Sequence, residues 1–162
     1  MSGQSEIPAR VQKVLQTHGL EALTFAAGST PTADMAAAQI GCAVGQIAKS
    51  LLFKGKDGHY GLFVCPGDQR VDSKKIKQAL GAKARMATPE ETLEITGYRP
   101  GSVCPFDLDQ LRLFIDRGLA AYTTIYPAAG TDASGVPVSF DQLKSITGAD
   151  ECQVMVDSAA SG

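Results

Sequence analysis

Glycine and proline interrupt this chain so often that long regular elements are excluded. The sequence has 17 glycines and 8 prolines in 162 residues, and both residue types tend to end helices and central strands. Hydrophobic residues make up 44% of the chain, which is enough for one buried core at this length. The sequence therefore predicts a single compact α+β domain built from short elements, not a helical bundle.

Local patterns place several of these elements. Apolar residues cover 47–53 and 60–65 with a Lys-Asp-Gly turn between them, which predicts a β-hairpin. The stretch 120–126 reads as a further strand. Polar residues stand before helical patterns, where N-caps belong: Asp72, Thr88 and Ser139. After the helix that ends at Gly97, the segment 98–106 holds two prolines and a glycine within six residues, so it is predicted to be irregular.

Several classes of site find no support in the sequence. The four cysteines are scattered and only two histidines are present, so no metal site is expected. Neither a Walker loop nor a G-x-G-x-x-G motif follows a strand, so no cofactor is expected. No apolar run reaches the ~18 residues that span a bilayer, and the first ten residues lack a signal-peptide pattern. We therefore expect a cytoplasmic protein without a membrane partner.

Lys49 is the first candidate for chemistry. It interrupts an apolar run, where an ammonium turned inward would need a partner; simple alternation along a strand would instead turn it to water. Ser102, in the irregular segment, lies outside any G-x-S-x-G elbow, and no histidine is placed as its base. Cys104 has no identifiable group that would stabilise a thiolate. A classical side-chain nucleophile is therefore not expected.

Lys49 is followed by other segments in a recognisable order: Asp72-Ser73-Lys74-Lys75, Thr96-Gly97-Tyr98, Gly101-Ser102-Val103-Cys104-Pro105 and the stretch from Tyr122 to Gly130. With these segments the chain resembles the YbaK/prolyl-tRNA editing-domain family, from about Val11 to Leu143. The lysine and the glycine-x-x-x-proline loop, in this order and spacing, are the most specific marks of the resemblance.

The resemblance implies a YbaK-like α+β fold: a mixed, barrel-like β-sheet flanked by helices, covering 9–156 between tails at 1–8 and 157–162. It implies a hydrolase that cleaves the ester of mischarged tRNA without a metal or cofactor. Lys49 would anchor the terminal adenosine or the substrate carbonyl, and Gly101 would position water or the ester through its backbone. The substrate-binding residues that the resemblance implies are Ser102, Val103, Cys104, Pro105, Ala128 and Gly130.

The implied partner is aminoacyl-tRNA, first of all tRNA(Pro) bearing a small wrong amino acid, with prolyl-tRNA synthetase as a further partner. The stretch 70–85 has six basic residues and one acid, so it would suit tRNA phosphates; a solvated helix face has the same composition. The tRNA-binding residues expected there are Arg70, Lys74, Lys75 and Lys77.

The substrate amino acid and the activity itself stay open at this stage. Some family members that act on cysteinyl-tRNA carry a serine where this chain has Pro127-Ala128-Ala129, so the residues that shape the amino-acid pocket differ. The alternative to a hydrolase is a non-catalytic module on the same fold that binds tRNA or a synthetase. Because Lys49 and the 101–105 loop are both present, we favour the hydrolase.

Overall fold

The structure, a computed structural model, describes residues 6–157. Most of the predicted tails at 1–8 and 157–162, namely residues 1–5 and 158–162, therefore lies outside the described residues. The helices of this part of the chain are α1 (Ala9–Thr17), α2 (Ala33–Ile40), α3 (Ser73–Leu80), α4 (Pro89–Thr96) and α5 (Phe140–Thr147). The strands are β1 (Leu23–Thr24), β2 (Ile47–Gly55), β3 (Tyr60–Pro66), β4 (Ala84–Met86), β5 (Arg112–Asp116), β6 (Tyr126–Pro127), β7 (Ser134–Gly135) and β8 (Asp150–Cys152).

Six of the strands form one mixed, open sheet. Five follow the order β4-β2-β3-β5-β8, and β6 pairs with β2. The hairpin of β2 and β3 is antiparallel, whereas β5 runs parallel to β3 and β8 parallel to β5. Strands β1 and β7 form a separate antiparallel pair. The predicted α+β class and the predicted hairpin are confirmed.

The hairpin lies between two apolar cores because its successive side chains point to opposite faces. Leu52 and Leu62 face the larger core, which also takes up Val11 from α1 and Leu143 from α5. On the other face, the ring of Phe63 stacks on Phe114 at a centroid distance of 4.4 Å, in a second core that includes Ile76 and Leu80 of α3. The hairpin is thus held rigidly from both sides.

The capping residues predicted from sequence begin their helices as expected. The Asp72 carboxylate accepts a hydrogen bond from Lys74 N at 2.9 Å. Thr88 Oγ1 accepts from Glu91 N at 3.1 Å, and the Glu91 side chain accepts in return from Thr88 N at 2.9 Å. Ser139 forms the equivalent box at the start of α5. These bonds satisfy backbone donors that the first turn of a helix leaves free.

The strand predicted at 120–126 is wrong for most of its length. Residues Arg117–Ala121 form a 3₁₀ helix, and only Tyr126–Pro127 pair as a strand. The 3₁₀ helix begins where the Asp116 side chain accepts a hydrogen bond from Gly118 N at 2.9 Å, a local cap that competes with an extended backbone. Strand β4 had not been predicted, since its three residues carry no alternating pattern.

Within residues 6–157, none of the helices has the length and apolar character that a membrane span requires.

Candidate active site

The edge of β2 that faces away from β3 is paired only near its two ends, which leaves a gap in the middle. Strand β4 pairs with residues 53–55 of β2, and β6 pairs with residues 47–48. Between them, Ala87 N donates to Leu52 O at 2.9 Å. Because alternate residues of a strand direct their backbone groups to the same side, Ser50 directs its N–H and C=O into this gap.

A cavity of about 430 Å³ opens at the gap, and we call it the β2 cavity. Its floor is the β2 segment from Ala48 to Leu52. Its walls are largely apolar and come from α2, the start of α4, the irregular loop after α4 and the region of β6: Ala33, Ala36, Ile40, Met86, Pro89, Thr92, Gly101, Val103, Tyr126, Ala128 and Ser134. The Ser50 Oγ atom is buried here and has no hydrogen-bond partner among the described residues.

Lys49 lines the β2 cavity and is half-buried. Its Nζ atom donates a hydrogen bond to Gln69 O at 3.0 Å, and within residues 6–157 it forms no ion pair. An ammonium has three N–H donors, so the remaining donors and the unneutralised charge are available to a ligand. The inward reading of Lys49 fits this geometry better than a strand residue turned to bulk water.

Gly101 lines the same cavity from the irregular loop. Its φ angle is +85°, in the left-handed region that is unfavourable in energy for residues other than glycine. The turn around it is closed by Ser102 N donating to Arg99 O at 2.8 Å. A Cβ atom on Gly101 would lie 3.4 Å from Pro31 Cβ, so the loop packs directly on the segment before α2.

Arg10 of α1 ties together the two ends of the irregular loop, a role that the sequence did not indicate. Its Nη1 atom donates to Thr96 O at 2.9 Å, before the loop. Its Nε and Nη2 atoms donate to the carboxylate and the carbonyl of Asp107, at 2.8 and 2.7 Å, after the loop. The guanidinium also lies 4.4 Å from the centre of the Tyr98 ring. The loop is therefore anchored at both ends.

The other predicted substrate-binding residues divide into two groups. Val103 and Ala128 line the β2 cavity. Ser102, Cys104, Pro105 and Gly130 are not among its lining residues. Cys104 is fully buried, and burial raises the pKa of its thiol to about 11. Because the thiolate is the reactive form, this cysteine is a poor nucleophile at neutral pH.

A buried hydroxyl network fixes the wall around Ala128. Ser134 N donates to Thr30 Oγ1 at 3.1 Å, and Ser134 Oγ accepts from Ala129 N at 3.0 Å and from Thr131 Oγ1 at 2.9 Å. Thr30 and Ser134 both line the cavity. Sequence reasoning missed them, because two residues 104 positions apart share no local motif.

The basic residues predicted to bind tRNA lie outside the cavity lining. Arg70, Lys74 and Lys77 are exposed to solvent. Lys75 is engaged within the protein, because its Nζ atom donates to Met155 O at 2.9 Å and to the Asp157 carboxylate at 2.7 Å. This ion pair raises the pKa of Lys75. Three of the four predicted side chains are thus free to meet an external anion.

Within residues 6–157 the structure contains no group of three or more histidine, cysteine, aspartate or glutamate residues placed to hold a metal ion.

The chain is similar to proteins of known family. A family described as the aminoacyl-tRNA editing domain matches residues 27–146. An uncharacterised Bacillus subtilis protein, YwhH, is 38% identical over 120 residues, which cover 74% of this chain and 76% of that protein. The proline–tRNA ligase of Bacillus licheniformis is 37% identical over 95 residues, and these make up 57% of this chain but only 16% of the ligase.

A solved structure supports the same relationship. A crystal structure described as that of a candidate trans-editing enzyme for prolyl-tRNA synthetase superposes with a TM-score of 0.84 at 35% sequence identity. The match covers 94% of this chain and 99% of the other.

Proposed function

This chain belongs to the aminoacyl-tRNA editing domain family, and from that premise we propose that it is a trans-editing hydrolase, which cleaves the aminoacyl ester of mischarged tRNA. The observation that carries the proposal is the placement of Lys49 and Gly101 in the lining of one cavity. They come from β2 and from a loop about fifty residues further along the chain. A module that only bound tRNA would have no need for this convergence.

In the proposed reaction Lys49 acts as an electrostatic catalyst. Hydrolysis adds a water oxygen to the ester carbonyl carbon, and negative charge develops on the carbonyl oxygen. The bond to the ribose oxygen then breaks, and that oxygen takes up a proton. An ammonium held at 3.0 Å from Gln69 O, with donors to spare, would stabilise the developing charge without having to reorganise.

Gly101 would supply position and not acid or base chemistry. An aminoacyl ester is already activated, so orienting it against water contributes a large part of the rate. The loop backbone approaches the cavity closely because Gly101 has no side chain, and Arg10 anchors both ends of the loop. The tethered loop is thus suited to holding the ester and the attacking water in a fixed relation.

The size and lining of the cavity favour a small amino acid. A volume of about 430 Å³ has to take the terminal ribose as well as the aminoacyl group. The lining of the cavity includes the short side chains of Ala33, Ala36, Ala48 and Ala128. Similarity to proline–tRNA ligases and to the trans-editing structure supports tRNA(Pro) as the carrier, with prolyl-tRNA synthetase as the enzyme whose errors are corrected.

The test is a deacylation panel. One tRNA(Pro) is charged in turn with alanine, serine, threonine, cysteine and proline, and release of each amino acid is followed with and without the protein. We expect rapid release of at least one small amino acid and little release of proline. Binding of charged tRNA without release of any amino acid would favour the binding-module alternative. Release from free aminoacyl esters as fast as from tRNA would show a general esterase.

The exposed cations at α3 give a prediction about tRNA affinity. Replacing Lys74 and Lys77 together by alanine should weaken tRNA binding and lower the slope of log affinity against log salt by about 1.4–1.8, since each phosphate contact contributes about 0.7–0.9. Lys75→Ala should change the slope less, because Lys75 is bound to Asp157. Filter binding across a salt series measures both slopes. An unchanged slope in the double variant would identify α3 as a solvated face.

A further inference from the structure

We propose that a groove of four cations beside the β2 cavity, formed by Lys54, Lys56, Lys83 and Arg85, binds phosphates of the tRNA strand whose 3′ end enters the cavity. The inference rests on the proposed function for the identity of that strand. The groove encloses about 420 Å³, and glycine and alanine residues form the rest of its lining. It is separate from the exposed cations at α3.

The four cations come in two pairs where the end of β2 meets the start of β4. Lys54 of β2 lies opposite Arg85 of β4. One step further, Lys56 N donates to Lys83 O at 2.8 Å, so these two residues also lie opposite each other. All four side chains line the same groove; Lys54 and Arg85 belong to the strands, and Lys56 and Lys83 are the residues directly beyond the strand ends. Like charges directly opposite each other destabilise a sheet.

Within residues 6–157, only the first of these two cation pairs has an anionic partner, and its one carboxylate offsets one of the two charges. The Glu91 carboxylate accepts from Arg85 Nη1 and Nη2 at 2.8 and 3.0 Å and from Lys54 Nζ at 3.4 Å. The Arg85 guanidinium holds the pKa of Glu91 well below its usual range, so this carboxylate is ionised. Within residues 6–157, neither Lys56 nor Lys83 forms an ion pair. Both side chains are exposed to solvent, so their charges are available to an external anion.

The groove and the β2 cavity are neighbours along β4. Arg85 lines the groove, and the next residue, Met86, lines the cavity. Neighbouring residues of a strand are roughly 3.3 Å apart, so a nucleic acid strand that places its terminal ribose in the cavity would pass phosphates close to the groove.

Lysine on an edge strand has a second explanation, protection against aggregation. Strand β4 is indeed at an edge of the sheet. Protection would need only one or two solvated lysines, however, and would gain nothing from opposing cation pairs. Two opposed pairs beside a cavity that is open to a nucleotide are better explained by a phosphate ligand.

The test uses the double variant Lys56→Ala/Lys83→Ala and an uncharged acceptor-stem minihelix ending in CCA. Binding is measured by fluorescence anisotropy across a salt series, and deacylation kinetics are measured on charged tRNA. We expect a salt slope lower by about 1.4–1.8, an affinity at least tenfold weaker at low salt, and a raised KM with kcat unchanged. The control Lys13→Ala removes an exposed lysine of α1 that likewise forms no ion pair within residues 6–157, and it should leave slope and KM unchanged.

Folding of the variant is checked by its melting temperature, which should be unchanged because both lysines are exposed and form no ion pair within residues 6–157. Lys56→Gln/Lys83→Gln repeats the test with longer side chains. A slope and KM equal to the wild type, or equal losses in the control variant, would overturn the inference. Binding to the minihelix does not depend on hydrolysis. Normal hydrolysis with an unchanged slope would therefore reject the groove alone, whereas a lowered slope in a protein without hydrolysis would support the groove and reject the proposed function.

Discussion

Lys49→Ala is expected to lower the rate of deacylation by at least ~100-fold while the protein stays folded. Removing one preorganised group that stabilises charge in a transition state costs about 10²–10³ in rate. The loss should fall mainly on kcat, because the contact strengthens as charge develops on the ester oxygen. The measurement is single-turnover deacylation of the substrate that the panel identifies.

The cost of Lys49→Ala to stability should be small. Among the described residues the Nζ atom makes one hydrogen bond, to Gln69 O, and such a bond contributes about 1 kcal/mol net. Lys49→Met is a second test, since it keeps the length of the side chain and removes the charge. Lys13→Ala, on an exposed face of α1, serves as the control. Near-normal rates in folded Lys49 variants would remove this residue from the site.

Gly101→Ala is expected to reduce deacylation roughly 100-fold, because a small displacement of a positioning group is enough for a loss of that size. At a φ of +85° an alanine would be strained by about 1–2 kcal/mol, and the loop would relax toward another conformation. The added Cβ would lie 3.4 Å from Pro31, an ordinary contact. The change in free energy of unfolding should therefore come from the backbone and not from a clash.

A matched glycine separates loss of position from loss of stability. Gly148, which ends α5, has a φ of +68° and no neighbour within 4 Å of an added Cβ, so Gly148→Ala carries a similar backbone cost far from the cavity. It should unfold at a similarly lowered temperature and keep its activity. Ser102→Ala should also keep most of its rate. An inactive Ser102→Ala beside an active Gly101→Ala would replace the backbone mechanism with a side-chain nucleophile.

Short-range features of the fold could be predicted from sequence. The caps at Asp72 and Thr88 and the β2–β3 hairpin depend on residues only a few positions apart. The strand predicted at 120–126 is wrong because of a residue outside that stretch. The Asp116 side chain caps a 3₁₀ helix, and this helix extends into the apolar residues that suggested a strand. Here the hydrogen-bonded cap at Asp116 and the apolar pattern at 120–126 favour different conformations, and the cap determines the structure of the residues directly after it.

Only some residues of the candidate site could be predicted from the sequence. Lys49 and Gly101 were singled out by residue type, loop composition and family resemblance, and their roles stay predictions. That they line the same cavity follows from the gap in the edge of β2, which exists because β4 and β6 pair with different parts of that strand. No spacing in the sequence encodes such a gap.

By itself, then, the sequence determined where the chain bends, which segments are helices, and which lysine and which loop are unusual, because each depends on the conformational preferences of neighbouring residues. Only the tertiary structure determined which distant residues contact each other. Arg10 binds both ends of the loop, Thr30 binds Ser134, and Lys56 lies opposite Lys83. These partners are 27 to 104 positions apart. Their contacts arise only when the packing of the two cores brings distant strands and loops together, a cooperative result that no local preference contains.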